Sequence, residues 1–152
     1  MLREIVENGY YSFAESFATW EDAIKASYEP LKKANIVEDV YIDAVIECVN
    51  KYGPYIVIVP GIAMPHSTEG AAGCNSTAIS FMKVENEVDF DADDPDKKAR
   101  LFFSLAAVDH EKHIENIQQL MDTLMNEEIV EALYQCKSIE DLKKVADVFE
   151  SK

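Results

Sequence analysis

Tyr55-Ile56-Val57-Ile58-Val59 is an unbroken apolar run, rich in β-branched residues and closed at its ends by Pro54 and Pro60. A strand with one wet face alternates apolar with polar residues, whereas a continuous run marks a strand covered on both faces by helices. The run predicts a central strand. Arg100-Leu101-Phe102-Phe103-Ser104-Leu105-Ala106-Ala107-Val108 predicts another, and the weaker alternation over 77–84 a third. Helical spacing surrounds them. Thr19-Trp20-Glu21-Asp22 has the spacing of a capping box and opens a helix over 20–34. Val40, Ala44, Val45 and Cys48 predict a second over 38–51, ended by Tyr52-Gly53-Pro54. Beyond Val108, Ile114, Ile117, Leu120, Met121 and Leu124 form one helical stripe, followed by helices over 127–135 and 139–149. The pattern predicts an α/β fold with a mixed central β-sheet covered by helices on both faces. The stretch 85–98 is dense in charge and reads as a solvated excursion that a short strand at 88–90 could interrupt.

The chain has 152 residues, 48% of them apolar, and the length suits one domain over 1–152. Such a chain buries roughly 70% of its unfolded surface, enough for a core without disulfides. Acidic residues outnumber basic ones 29 to 14, a net charge of −15, which argues against nucleic acid and anionic membranes as partners. The longest uncharged stretch, between Lys51 and Glu69, is broken by Pro54, Pro60 and Pro65, so no membrane span is expected. Met1 to Glu7 lack the basic region and apolar run of a secretory signal, and the expected compartment is the cytoplasm. Cys48, Cys74 and Cys136 show no C-x-x-C spacing and read as free, mostly buried thiols.

Only three histidines occur. His66 follows the run 55–59 through Pro60-Gly61-Ile62-Ala63-Met64-Pro65, a loop with a tightly fixed path, and ligand sites of open α/β sheets lie beyond the carboxyl ends of strands. His110 and His113 follow the run 100–108 at the start of a helix, with His113 four residues before Ile117 and so on the inward face. If the two strands are neighbours, His66 and His113 meet at one edge. Two histidines beside a helix N-terminus suit phosphoryl chemistry: one neutral imidazole attacks, while the other and backbone N–H groups stabilise the oxygens. A zinc site of His66, His110 and His113 is the rival use, but His110-Glu111-Lys112-His113 lacks the H-E-x-x-H spacing, and no metal or other cofactor is expected. Phosphate-loop, dinucleotide and serine-hydrolase motifs are absent.

Gly61-Ile62-Ala63-Met64-Pro65-His66 resembles the phosphorylation motif of the mannitol/fructose-type enzyme IIA domains of the bacterial phosphoenolpyruvate-dependent sugar phosphotransferase system. His113-Ile114, after the strand ending in Ala106-Ala107, resembles that family's second histidine, and the likeness spans nearly the whole chain. Tyr41-Ile42-Asp43-Ala44 and Tyr52-Gly53-Pro54-Tyr55 look most like the L-ascorbate-specific branch. The resemblance implies a phosphotransferase component that works through a phosphohistidine. His66 would accept a phosphoryl group from the carrier HPr and pass it to a cysteine of the cognate IIB component, which serves a membrane IIC component. His113 would stabilise the transferring group. Ser67 and Glu47, the latter matching an acidic position in related domains, are further phosphoryl-stabilising candidates. A homodimer is left open. The alternative is a regulatory relative, in which His66 phosphorylation controls a protein partner rather than transport. Where ascorbate-branch relatives carry a charged, Pro-containing stretch, this chain has Ser67-Thr68-Glu69-Gly70, which loosens the inference about its IIB partner.

Overall fold

The computed structural model describes residues 1–150. In chain order these form α1 (Leu2–Asn8), β1 (Tyr11–Ala14), α2 (Trp20–Lys33), α3 (Asp39–Tyr52), β2 (Val57–Val59) and β3 (Gly61–Ala63). There follow β4 (Ala78–Asp89), β5 (Lys98–Ala106), α4 (His110–Leu124), α5 (Glu127–Gln135) and α6 (Ile139–Glu150). Thr19 caps α2 as its sequence predicts, its hydroxyl accepting from the Asp22 N–H at 3.2 Å.

The strands make one mixed sheet in the order β1-β4-β5-β3-β2. β4 and β5 are antiparallel, while β5 and β3 are parallel. Each face of the sheet carries its own core. On one, Ile24, Tyr28, Leu31 and Val45 of α2 and α3 pack on Met82, Val84 and Phe102. On the other, Leu120, Leu133 and Leu142 of α4, α5 and α6 cover Phe81, Leu101 and Phe103. Burial of these side chains is the main favourable term in the fold, about 1.5–3 kcal/mol for each large one.

Three buried serines fix how α2 lies on the sheet. Ser80 of β4 donates to the Ser27 carbonyl at 2.8 Å, Ser104 of β5 meets the Ser27 hydroxyl at 2.6 Å, and that hydroxyl bonds the Ile24 carbonyl at 2.7 Å. Every hydroxyl in the cluster is satisfied, so burying it does not leave a desolvated group unpaired.

The run 55–59 departs from expectation. Tyr55 and Ile56 lie in a turn, with the Val57 N–H bonded to the Pro54 carbonyl, and only Val57–Val59 remain as a strand at the sheet edge. Two prolines without N–H groups and a positive φ at Gly53 turn the chain where composition alone suggested a longer strand. The supposed loop after it contains β3, which takes the inner place beside β5. α1 and β1 were not expected, being too short for periodicity to declare them. The excursion 85–98 is shorter than expected, since β4 runs to Asp89 and β5 begins at Lys98, which leaves only 90–97 outside the sheet. Ile114, assigned to the inward stripe of α4, is 48% exposed.

The segment between β3 and β4 is tied down along its length. Glu69 receives Lys51 at 2.9 Å and the Tyr52 hydroxyl, both from the end of α3. Further on, the Gly73 carbonyl accepts from Glu38 and the Ile36 carbonyl from Asn75, each at 2.8 Å.

The turn into β3 depends on Gly61. Its φ is +97°, and an added Cβ would lie 2.1 Å from the Tyr134 hydroxyl. Gly61→Ala is expected to lower stability by about 2 kcal/mol or more from backbone strain and overpacking together. Gly9→Ala, also at positive φ but with nothing within 4 Å, should lose less. Urea unfolding midpoints check this, and a Gly61→Ala midpoint no lower than that of Gly9→Ala would contradict it.

Candidate active site

The parallel pair β3 and β5 carries the two histidines to one end of the sheet. Beyond the last paired residue of β3 the pairing continues, as the Leu105 N–H donates to the Pro65 carbonyl at 2.9 Å. The Tyr28 hydroxyl lies 2.9 Å from both the Pro65 and Leu105 carbonyls, and Tyr41 donates to the Leu105 carbonyl at 3.2 Å. Burial pushes the Tyr41 hydroxyl up to about 12, so it stays a donor. His66 is thus set directly beside the end of β5.

The sequence's condition is met through β3 rather than the run 55–59. The His66 and His113 ring centroids are 5.2 Å apart, with planes inclined at 41°. Nδ1 of His66 lies 2.6 Å from the Met64 carbonyl oxygen. A carbonyl only accepts, so Nδ1 holds the proton and Nε2 keeps its lone pair. Tyr55 completes the mounting, its ring standing edge-on to the imidazole at 5.1 Å and its hydroxyl donating to the His66 carbonyl. Burial holds His66 below the ordinary histidine range; the Met64 carbonyl opposes that shift and His113 adds to it. His113 is held low first by burial and then by His110. Both rings are therefore mainly neutral near pH 7.

α4 is anchored so that its first turn faces this pair. Asp109 caps it, accepting from the Lys112 N–H at 2.8 Å, and Asn116 reaches back to the Ala106 carbonyl at 3.1 Å. A cavity of about 470 Å³ opens there, lined by Ser67, Thr68 and Gly70 of the loop after His66, by Tyr41, and by His110 and His113. Its remaining walls, Ala71, Ala107, Val108 and Asp109, add no Lys or Arg.

His113, His110 and Ser67 therefore line one cavity, and His66, which is not itself in the lining, meets His113 ring to ring. Ser67 is buried and its hydroxyl accepts from the Glu69 N–H at 3.2 Å, shaping the loop. Glu47 is exposed on α3 and is not among the residues lining the cavity. Among the described residues no three His, Cys, Asp or Glu side chains are grouped to hold a metal ion, so the zinc reading lacks its ligand set. Sequence reasoning missed Tyr28, Tyr41, Tyr55 and Asn116. Asn116 carried a readable signal, a polar residue three places after His113 on the inward face, whereas Tyr28 and Tyr55 read as members of apolar patterns and Tyr41 only as part of the branch resemblance.

Comparison with known proteins places this geometry. Residues 4–147 match the family described as phosphoenolpyruvate-dependent sugar phosphotransferase system, EIIA 2. The ascorbate-specific PTS system EIIA component of Escherichia coli K12 is 31% identical over 144 residues, covering 94% of this chain and 92% of that protein. The solution structure of a mannitol-specific cryptic phosphotransferase enzyme IIA from Escherichia coli superposes with a TM-score of 0.82 at 31% identity, over 95% of this chain and 96% of that one. The mannitol enzyme IIA solved in complex with phosphorylated enzyme IIB, also from Escherichia coli, gives a TM-score of 0.72 at 27% identity, over 90% and 92% of the two chains. Matched in sequence and in fold over nearly its whole length, the chain belongs to the EIIA 2 family of the sugar phosphotransferase system, a family of phosphotransfer proteins.

Proposed function

We propose that the chain acts as a single IIA domain in the cytoplasm, taking a phosphoryl group from phospho-HPr onto Nε2 of His66 and giving it to a cysteine of a IIB component. The observation that carries this reading is the pair of neutral imidazoles beside the start of α4, with the His66 tautomer fixed by the Met64 carbonyl. In the first step the Nε2 lone pair attacks phosphorus. The P–N bond to the HPr histidine breaks, and the electron pair leaves with that imidazole. The phosphorylated His66 ring is then cationic, with its Nδ1–H bonded to the Met64 carbonyl, which stabilises that charge. In the second step a IIB thiolate attacks phosphorus and the electron pair returns to Nε2. His113 donates to the phosphoryl oxygens where negative charge builds.

A IIB acceptor fits the mannitol relative solved with phosphorylated IIB. An ascorbate-type cargo, with a IIC permease downstream, fits the relative named for ascorbate. The net charge of −15 also suits a basic phosphoryl donor, because complementary charge speeds encounter.

Incubation with phosphoenolpyruvate, enzyme I and HPr should add one acid-labile phosphoryl group to the wild type and none to His66→Ala. Label on His66→Ala would overturn the assignment. His113→Ala should still fold and accept phosphate, but about a hundredfold more slowly, the usual cost of losing a charge-stabilising donor; transfer at the wild-type rate would make His113 structural only. NMR titration of the His66 ring should give a midpoint below 6.5, so that the neutral nucleophile is the majority form at pH 6.5 and declines on further acidification. A midpoint at or above 6.5 would contradict the buried, neutral ring.

A further inference from the structure

Building a phosphoryl dianion into this cavity raises a question of charge, since the lining supplies no Lys or Arg and includes the Asp109 carboxylate. The polar side chains of the lining can be taken in turn. Tyr41 gives its hydroxyl hydrogen to the Leu105 carbonyl. Thr68 directs its own to Cys48 Sγ at 3.6 Å, and Ser67 is engaged with the Glu69 N–H and, at 3.9 Å, with the same sulfur. Asp109 accepts from the Lys112 N–H and closes the helix start. Only His110 and His113 remain, and among the described residues neither imidazole makes a hydrogen bond within the protein.

His110 is the first residue of α4, exposed at the cavity wall. The N–H groups of a helix's opening residues have no carbonyl within the helix to bond. Lys112 and His113 are satisfied by the Asp109 side chain and carbonyl, which leaves the N–H groups of His110 and Glu111 free at this end. We propose that His110 is a second phosphoryl-oxygen ligand, its ring donating together with His113 and the free N–H groups of the first turn of α4 to the group carried on His66. The proposal rests on His66 as acceptor and adds a role that neither the apolar stripe of α4 nor the His66–His113 contact requires. Two neutral N–H donors and the helix-start N–H groups thus take the place of a fixed cation, without a permanent charge in the empty site.

The test uses the whole chain, phosphorylated through enzyme I and HPr, with His110→Ala and His110→Gln beside the wild type. The ring nitrogen resonances of His110 should shift when His66 is phosphorylated. Acceptance from phospho-HPr should slow about tenfold in His110→Ala, as expected for loss of one hydrogen bond to a charged group, with part of the rate restored in His110→Gln, which keeps an N–H donor. His110 is exposed, so neither variant removes core packing, and equal unfolding midpoints would show that the fold is intact. Unmoved His110 resonances on phosphorylation overturn the proposal, as does a His110→Ala rate within about twofold of wild type. Normal labelling of His66 with either of those results removes His110 alone, whereas label that survives His66→Ala removes the acceptor reading and this one with it.

Discussion

The site depends on one hydroxyl. Tyr28, fully buried in α2, lies against the Pro65 and Leu105 carbonyls, where the β3 chain and β5 run out of regular pairing. Its single hydrogen can serve one of these acceptors or be shared between them, while Leu105 N–H and the Tyr41 hydroxyl supply the rest. A parallel strand pair normally frays at its end, because the carbonyls there have no further ladder partner. Here a side chain from the covering helix extends the ladder by the residues needed to reach His66. The three-serine cluster, centred on Ser27 next to Tyr28 in the chain, fixes the height and register of α2, and so the reach of Tyr28. Packing on one face of the sheet thereby sets the position of His66 at its end.

The electrostatics follow from that placement. A surface histidine would be partly cationic near neutrality and a poor nucleophile; burial removes that charge, and the Met64 carbonyl assigns the remaining proton to Nδ1. The same carbonyl opposes the effect of burial, so the ring is neutral at rest and still able to bear charge once substituted. For the proposed phosphoryl group, compensation in a chain with excess negative charge has to be local, from the imidazoles and helix-start N–H dipoles at a cavity whose wall also carries the Asp109 carboxylate.

Much of this was legible in the sequence, for identifiable reasons. α2, α3, α5 and α6 have stripes or caps long enough to fix their ends to within about two residues, the ordinary spread of helix boundaries. β5 declared itself by an apolar run with no breaker inside it. The run 55–59 misled because its composition matched a buried strand while its flanking prolines, read as boundaries, governed its path; the strand that mattered was the three-residue β3 inside the supposed loop. His66 and His113 were legible from their places after apolar runs. Their supports were not, since a hydroxyl at the tip of a tyrosine reaches a partner far away in sequence, and no local pattern encodes that distance.

The ties on the segment after His66 have an entropic consequence. Between β3 and β4 the sequence offers small and polar residues with Gly70 and Gly73, a composition that in isolation explores many conformations. Contacts from Lys51 and Tyr52 at Glu69, then from Glu38 at Gly73, divide it into short spans whose freedom is surrendered when the protein folds. A wall that is already ordered does not have to be ordered again at each encounter. In the carrier role proposed above, with a donor and an acceptor met in each cycle, an ordering cost at this wall would weaken both associations. Settling that cost once, in folding, keeps each visit brief and the wall unchanged between them.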